Sequence, residues 1–181
     1  MKNASIRNNI VIFLILSNIN IYSQTYNELK KDTADFFLIK ADLNKDNVLD
    51  DVFISKPLYG DKLFFFINKK KVLETRNLSE DGGFIIKNIT PIKNDGILKI
   101  ETYFPDRGDS GAVHYIDFRK KQWILTKTMY YVNYWDKIAI ECKCWVNQNI
   151  LLKELLKPET VINGFPIEEK RKRNCSFTYP K

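Results

Sequence analysis

An acidic loop between two β-rich segments constrains the fold of this chain more than any other feature. Its oxygen-bearing side chains lie at loop positions one, three, five and nine, which are Asp42, Asn44, Asp46 and Asp50. Calcium takes six to eight oxygen ligands at about 2.3–2.6 Å, and a loop with an oxygen at every second residue can wrap around the ion. Val48, at position seven, would add its backbone carbonyl. The pattern predicts a site for one calcium ion.

The residues around the loop exclude the helix–loop–helix type of calcium site. Position twelve, where an EF-hand has a bidentate Glu, is Phe53, and position six, usually Gly, is Asn47. After Gly, Asn is among the residues that most readily take a positive φ. The flanking segments 36–39 and 52–54 are apolar and β-rich. We expect a loop that joins two strands. The alternative is a solvated acidic turn that binds nothing, because Asp and Asn favour turns in any case.

This loop resembles the calcium loops of FG-GAP and VCBS-type repeats, in which a D-x-[DN]-x-D-x-x-x-D loop ends in a short apolar strand. Residues 42–50 have that spacing, and residues 52–54 supply the strand. The resemblance implies an ion that organises a strand connection and takes no part in chemistry. Extracellular calcium modules bind with a Kd of about 10⁻⁴–10⁻³ M, and we expect that range here.

Strand patterns dominate the chain from residue 35 onward. Three hairpins are indicated, with strands at 63–67 and 71–74, at 84–86 and 97–104, and at 113–118 and 123–127. Residues 25–33 indicate a short helical turn, and residues 150–156 have apolar positions at helical spacing before Pro158. We expect a mainly β fold of antiparallel hairpins, in a propeller-like or sandwich arrangement, with a short C-terminal helix.

The N-terminal segment is typical of a secretory signal peptide. Lys2 and Arg7 precede the apolar run 10–16, and a small-residue site ends at Ser23. This run is too short to span a bilayer comfortably. We therefore expect a signal peptide at 1–23, a single β-rich domain at 24–181 and a periplasmic or secreted location without a stable membrane span. A retained N-terminal anchor is the alternative.

The formal net charge of +7 narrows the class of partner. Basic residues are spread along the chain except for the run 170–173, which we interpret as part of a solvated tail. An exported chain seldom meets nucleic acid, so we expect no nucleic-acid partner. An acidic protein or a cell-wall polyanion fits the charge better.

Three cysteines, Cys142, Cys144 and Cys175, indicate one disulfide bond in an oxidising compartment. Cys142 and Cys144 lie two residues apart on one predicted strand, so a bond between them would strain the backbone. We expect Cys175 to pair with Cys142 or Cys144 and to hold the tail down. Three thiols and one remote histidine are a poor zinc ligand set.

The sequence does not indicate an active site. His114 is the only histidine and alternates with Ile116 in a predicted strand, which favours a packed or half-exposed residue over a catalytic one. Glu101 and Asp106 could imitate a glycosidase pair, but nothing in the sequence sets their separation. We therefore expect no enzyme activity, with a hydrolase as an alternative class.

Two segments are candidate partner-binding sites. Arg107 and Asp109 lie on a predicted turn that begins after Pro105, and an Arg there could enter a carboxylate-lined cleft. Tyr and Trp are favoured at interfaces and in sugar-binding sites, and such residues crowd one short stretch, at Tyr131, Tyr134 and Trp135. The alternatives are a turn without function and aromatic residues that pack between sheets.

The order of these parts resembles a second group of proteins. A signal peptide, a strand, the acidic loop, a Phe-rich hairpin and a hairpin whose second strand begins with Trp123 follow one another. This is similar to small periplasmic β-propeller-like proteins that inhibit, or confer immunity to, secreted peptidoglycan hydrolases. The resemblance implies an exported, non-enzymatic protein that binds and inhibits a cell-wall hydrolase. A carbohydrate- or matrix-binding module is the rival interpretation.

Overall fold

Two antiparallel sheets make up most of this computed structural model. It describes residues 24–56, 62–76, 78, 85–91, 97–104, 110–134 and 140–179, but not the side chains of residues 85, 91, 104, 134 and 140. The signal-peptide prediction for 1–23 lies outside these residues. Within them, no helix has the length and apolar character needed to cross a bilayer.

The first sheet is a meander of four strands in the order β1-β2-β3-β4. They are β1 (Phe36–Ala41), β2 (Asp50–Ser55), β3 (Lys62–Ile67) and β4 (Lys70–Arg76). Asn68 and Lys69 connect β3 to β4 with φ values of 50° and 62°, and a two-residue type I′ turn requires positive φ at both positions. The hairpin predicted at this point is confirmed.

The second sheet has six strands in the order β10-β9-β8-β7-β6-β5. They are β5 (Ile85–Pro91), β6 (Ile97–Phe104), β7 (Ser110–Arg119), β8 (Gln122–Tyr134), β9 (Ile140–Leu151) and β10 (Cys175–Thr178). A second turn with positive φ, at Lys120 and Lys121, connects β7 to β8. Together the two sheets confirm the expected mainly β, antiparallel fold.

The sheets share one hydrophobic core. Buried residues of both belong to the same cluster, among them Val52, Ile54, Leu63 and Phe65 from the first sheet and Ile100, Ile116 and Leu125 from the second. A 3-10 helix, Leu152–Leu156, adds Leu152 and Leu155 to this core. It lies within the segment that was predicted to be helical at 150–156. Strand β9, however, continues as far as Leu151.

A short helix covers the outer face of the first sheet. Helix α1 (Tyr26–Lys31) begins at Thr25, and Thr25 and Glu28 satisfy each other's backbone N–H groups in a capping box. Leu29 from this helix packs in a second buried cluster with Phe36, Phe53, Phe64 and Phe66. Strand β2 is consequently buried on both of its faces. The outer face of the second sheet has no comparable cover among the described residues.

The C-terminal segment adds helix α2 (Glu168–Asn174) and strand β10. Strand β10 pairs with β9 in a register that puts Cys175 opposite Cys144. A disulfide bond joins these two cysteines, and Cys142 remains a buried free thiol. The expected disulfide from Cys175 is confirmed, with Cys144 as its partner. The sequence analysis did not anticipate α2 or β10.

Candidate functional site

The acidic loop connects β1 to β2, as the sequence predicted. Lys45 and Asn47 have φ values of 70° and 64°, so Asn47 takes the expected left-handed conformation at position six. The Asp42 carboxylate accepts hydrogen bonds from three loop amides, those of Asn44 at 3.2 Å, Lys45 at 2.7 Å and Asn47 at 2.9 Å. These bonds curl the backbone around the first predicted ligand.

The next two predicted ligands, Asn44 and Asp46, form hydrogen bonds with backbone amides further along the loop. The Asn44 side-chain oxygen accepts from the Asp46 amide at 3.1 Å, and the Asp46 carboxylate accepts from the Val48 amide at 2.8 Å. The Asn44 side-chain amide also donates to the other Asp46 oxygen at 2.8 Å. Side-chain oxygens at positions one, three and five thus lie inside one turn of backbone.

Asp50, the fourth predicted side-chain ligand, is only 4% exposed. Its carboxylate accepts a hydrogen bond from the Leu43 amide at 3.2 Å. Burial raises the pKa of Asp50, and the negative charges of Asp46, Asp42 and Asp51 raise it further against the effect of the Leu43 bond. The loop therefore brings several negative charges close together, and a bound cation would reduce the repulsion between them.

Two contacts attach this loop to the second sheet. The Trp123 indole N–H donates to the Leu43 carbonyl at 2.9 Å, and this bond is buried. The Lys45 ammonium lies 3.2 Å from the Asp117 carboxylate on β7. Because Leu43 belongs to the core, these contacts anchor the beginning of the loop to the packed structure.

The donor set of the loop fits a hard cation. Three carboxylates, one amide oxygen and the Val48 carbonyl are oxygen ligands of the kind that calcium prefers. Asn44 would have to turn its oxygen toward the ion, because this oxygen accepts the Asp46 amide here. The residues that could hold calcium are therefore Asp42, Asn44, Asp46, Val48 and Asp50.

The second candidate site is the uncovered outer face of the second sheet, which we name the open face. Its side chains alternate with buried ones along β5 to β9 and include Lys87, Lys99, Glu101, Val113, Tyr115, Lys127, Met129, Tyr131, Glu141, Lys143 and Trp145. Most of them line an open concavity of about 540 Å³. This face combines cations, aromatic rings and apolar side chains.

Two lysines stand over the aromatic centre of the open face. Lys127 Nζ lies 4.8 Å from the centroid of the Tyr115 ring and 4.7 Å from that of Trp145. Lys99 Nζ lies 5.3 Å from the Tyr115 centroid on the neighbouring strand. The two rings are 5.4 Å apart, and Trp145 is 44% exposed. These are cation–π distances.

The other charges of the open face are paired. Lys87 lies 3.5 Å from Glu101, and Lys143 lies 2.8 Å from Glu141. Neither Lys99 nor Lys127 forms an ion pair within the described part of the chain. Among the described residues, the two cations at the centre of the face therefore contact aromatic rings and form no ion pair with a carboxylate.

His114 faces the core, away from the open face. It is 1% exposed, and its two ring nitrogens contact the hydroxyls of Thr102 at 3.2 Å and Thr128 at 3.1 Å. Burial lowers the pKa of His114 to about 3, so its imidazole is neutral at physiological pH. His114 is thus packed among neighbouring side chains, which is one of the two environments that the sequence predicted for it.

The predicted partner-binding residues differ in whether the structure describes their side chains. Tyr131 belongs to the open face and lies against Gly111, where an added Cβ would clash with the phenol. Tyr134 ends β8, but its side chain is outside the described residues, as are Arg107, Asp109 and Trp135. Tyr131 is thus the one predicted partner residue with a described side chain, and it lies in the second candidate site.

Sequence reasoning missed the aromatic and basic centre of the open face. Tyr115, Lys127 and Trp145 come from three strands, and register brings them together: Tyr115 is opposite Lys127, and Met129 is opposite Trp145. The available signal was weak. Each strand has a ring, a thioether or a lysine at outward positions, alternating with buried residues.

Comparisons with family models, curated proteins and solved structures find no match to this chain.

Proposed function

We propose that this protein is exported, binds one calcium ion in the acidic loop, and binds and inhibits another protein, a cell-wall hydrolase. The observation that carries this proposal is the open face. It offers a partly exposed surface on paired strands, and its central cations lack carboxylate partners among the described residues. Such a surface suits a partner that supplies the missing negative charge.

The chemistry of wall hydrolases makes them suitable partners. Enzymes that cleave glycosidic bonds generally use a pair of carboxylates in an open cleft. Lys99 and Lys127 could pair with such carboxylates, while Tyr115 and Trp145 fill apolar parts of the cleft. Charge complementarity of this kind favours correct partners and accelerates association.

The sheet also makes the open face a preformed surface. Lys99, Tyr115, Lys127 and Trp145 lie on four adjacent hydrogen-bonded strands, β6 to β9. A side chain on a paired strand loses less conformational freedom on binding than one on a mobile loop. Backbone order therefore reduces the cost of binding.

Calcium and export have separate support. The acidic loop supplies oxygen donors at the required spacing, and its contacts with Trp123 and Asp117 would let the ion stabilise the junction between the sheets. The Cys144–Cys175 disulfide suits an oxidising compartment. The signal-peptide pattern at 1–23 also supports export.

A carbohydrate-binding module is the second candidate, and the Tyr115–Trp145 pair favours it. Its rings are partly exposed beside an open concavity, and sugars can stack on flat aromatic faces that have polar edges. In this case Lys99 and Lys127 would contact acidic groups of a glycan.

A binding and inhibition assay tests the proposal. Purified protein is added to a panel of wall hydrolases that act on isolated peptidoglycan, and residual activity and Kd are measured. We expect inhibition by the wild type and at least a tenfold higher Kd for Lys127→Glu and Lys99→Glu, because reversed charges would repel the cleft. Lys153→Glu is the matched control, since it makes the same charge change on an exposed residue of the 3-10 helix.

Other outcomes would distinguish the rival functions. If the wild type inhibits no hydrolase but is retained on peptidoglycan, and Trp145→Ala abolishes retention, the carbohydrate-binding interpretation replaces the inhibitor. Cleavage of peptidoglycan by the protein alone would contradict both. An Arg107→Ala variant tests the predicted partner-binding turn, and unchanged inhibition would remove Arg107 from the site.

A further inference from the structure

Three sulfur atoms meet between β9 and β10. The Cys142 and Cys144 sulfurs lie 3.6 Å apart, and the sulfurs of all three cysteines lie within 4.8 Å of one another. Cys142 and Cys144 are fully buried, while Cys175 is partly exposed. Only the Cys144–Cys175 bond uses these atoms, and Cys142 has no role in the function proposed above.

Strand register creates this cluster. Cys142 and Cys144 are two residues apart on β9 and therefore point to the same face. Antiparallel pairing puts Cys175 opposite Cys144 and Phe177 opposite Cys142. Backbone pairing between β9 and β10 is independent of the disulfide bond, so it would keep the three sulfurs near one another after reduction.

We propose that the reduced protein binds one Cu(I) ion through Cys142, Cys144 and Cys175. At a metal–thiolate distance of about 2.3 Å, three sulfurs arranged around one ion stand about 4 Å apart. The present spacing of 3.6 Å between Cys142 and Cys144 is close to that value. Cys175 would need only a small side-chain movement once its bond to Cys144 is broken.

The composition of the cluster favours Cu(I) over zinc. Structural zinc sites are almost always four-coordinate. Within the described residues, the cluster contains three cysteines and no histidine or carboxylate. The only histidine, His114, is engaged by two threonine hydroxyls. Soft thiolates without a fourth ligand suit a soft monovalent ion.

The basic segment before Cys175 suits the charge of such a site. Three thiolates and one Cu(I) ion have a net charge of −2. Helix α2 contains the basic run 170–173, and it ends directly before Cys175. A cationic helix beside an anionic cluster reduces the cost of burying its charge.

The chemistry requires one reductant and one metal ion. A dithiol donates two electrons and two protons to the Cys144–Cys175 bond, which breaks to two thiols, while the dithiol becomes a disulfide. Binding of Cu(I) then releases the three thiol protons as three metal–sulfur bonds form. Strand β10 is thus fastened to β9 by a disulfide in the oxidised state and by the metal in the reduced state.

A Cu(I) titration tests this site. The full-length protein is reduced with dithiothreitol without oxygen, separated from the reductant and titrated with Cu(I) held by bicinchoninate. We expect one Cu(I) per chain, three sulfur ligands in the X-ray absorption spectrum and at least a tenfold weaker affinity in Cys142→Ser. The Cys142→Ser variant keeps the disulfide, so its fold can be verified before reduction. His114→Gln should bind Cu(I) like the wild type.

Three results would overturn the proposal. The first is equal Cu(I) affinity in the wild type and Cys142→Ser. The second is a spectrum with fewer than three sulfur ligands. The third is loss of β-sheet circular dichroism on reduction that Cu(I) does not restore, which would mean that β9 and β10 do not keep the sulfurs together.

Discussion

At the scale of single residues, Asp50 links the acidic loop to the hydrophobic core. It begins β2, is nearly buried, and accepts the Leu43 amide, while the Leu43 carbonyl accepts the Trp123 indole. A carboxylate in this position is costly to bury without a cation or a hydrogen bond. One ion bound by Asp50 and its neighbours would therefore act on the junction of both sheets.

Calcium should stabilise the folded protein. An ion that binds only the folded state, at a concentration 100 times its Kd, contributes about 2.7 kcal/mol, which corresponds to a rise in Tm of about 5–10 °C for a chain of this size. For the expected Kd of about 10⁻⁴–10⁻³ M, 10 mM calcium is about 10–100 times Kd, so we expect a rise in Tm of about 3–10 °C and no rise in Asp46→Ala, measured by thermal circular dichroism. Glu159→Ala removes an exposed carboxylate elsewhere and should keep the full rise. An unchanged wild-type Tm would contradict the site.

His114 should make the protein sensitive to acid. Its folded-state pKa is about 3, below the usual 6.5, so the unfolded chain binds a proton that the folded chain excludes between these pH values. The contribution of the neutral His114 to the free energy of unfolding is fully present above pH 6.5. It falls as the pH decreases, by about 2–3 kcal/mol at pH 4.5. Urea denaturation of the wild type and His114→Gln should reveal a flatter pH dependence in the variant. Identical slopes would argue against this role.

At the scale of elements, β10 depends on its disulfide bond more than on packing. Its residues after Cys175 are exposed, and α2 before it has no buried residue. The Cys144–Cys175 bond closes a sequence separation of 31 residues, and such a closure contributes about 2–4 kcal/mol. The covalent bond therefore adds stability to the backbone pairing that attaches β10 to β9.

Loss of either bonded cysteine should have the same effect. Under oxidising conditions, Cys144→Ser and Cys175→Ser should each lose about 2–4 kcal/mol in urea denaturation, and hydrogen exchange should increase at the edge of β9. Cys142→Ala should keep the Cys144–Cys175 bond and lose less free energy of unfolding. Mass spectrometry without reductant should find Cys144 bonded to Cys175. Equal destabilisation by Cys142→Ala would refute this division of roles.

At the scale of the whole molecule, the two sheets differ in what covers them. Helix α1 buries the outer face of the first sheet through Leu29 and Tyr26, whose hydroxyl donates to Asp51 at 2.7 Å. The described residues provide no such layer for the second sheet, and its outward side chains form the open face. Among the described residues, this asymmetry leaves the outer face of the second sheet without a covering layer.

Removing the α1 anchor should expose the aromatic face of the first sheet. Leu29 is 1% exposed and packs on four Phe residues, so Leu29→Ala should cost about 2–4 kcal/mol and increase the binding of a hydrophobic dye. Val161→Ala shortens an exposed apolar side chain and should change stability by less than about 0.5 kcal/mol. Equal losses in the two variants would contradict the cover described for α1.

Local chemistry was sufficient to predict much of this fold. Period-two alternation marked the strands, short polar segments at 68–70 and 119–122 marked two turns, and the spacing of Asp42 to Asp50 marked the acidic loop. His114 could be assigned to a packed strand because its neighbours alternate with it. These features depend on residues close together in sequence, so they are visible without the tertiary structure.

Pairing and layering between distant segments required the tertiary structure. Cys142 and Cys144 have the same local pattern, and only the register of β10 on β9 selects Cys144. Tyr115, Lys127 and Trp145 meet because three strands align, and helix α1 covers the first sheet and not this one. Outward positions of a strand look alike in sequence whether another layer covers them or not. Long-range packing alone decides which of them remain free to bind a partner.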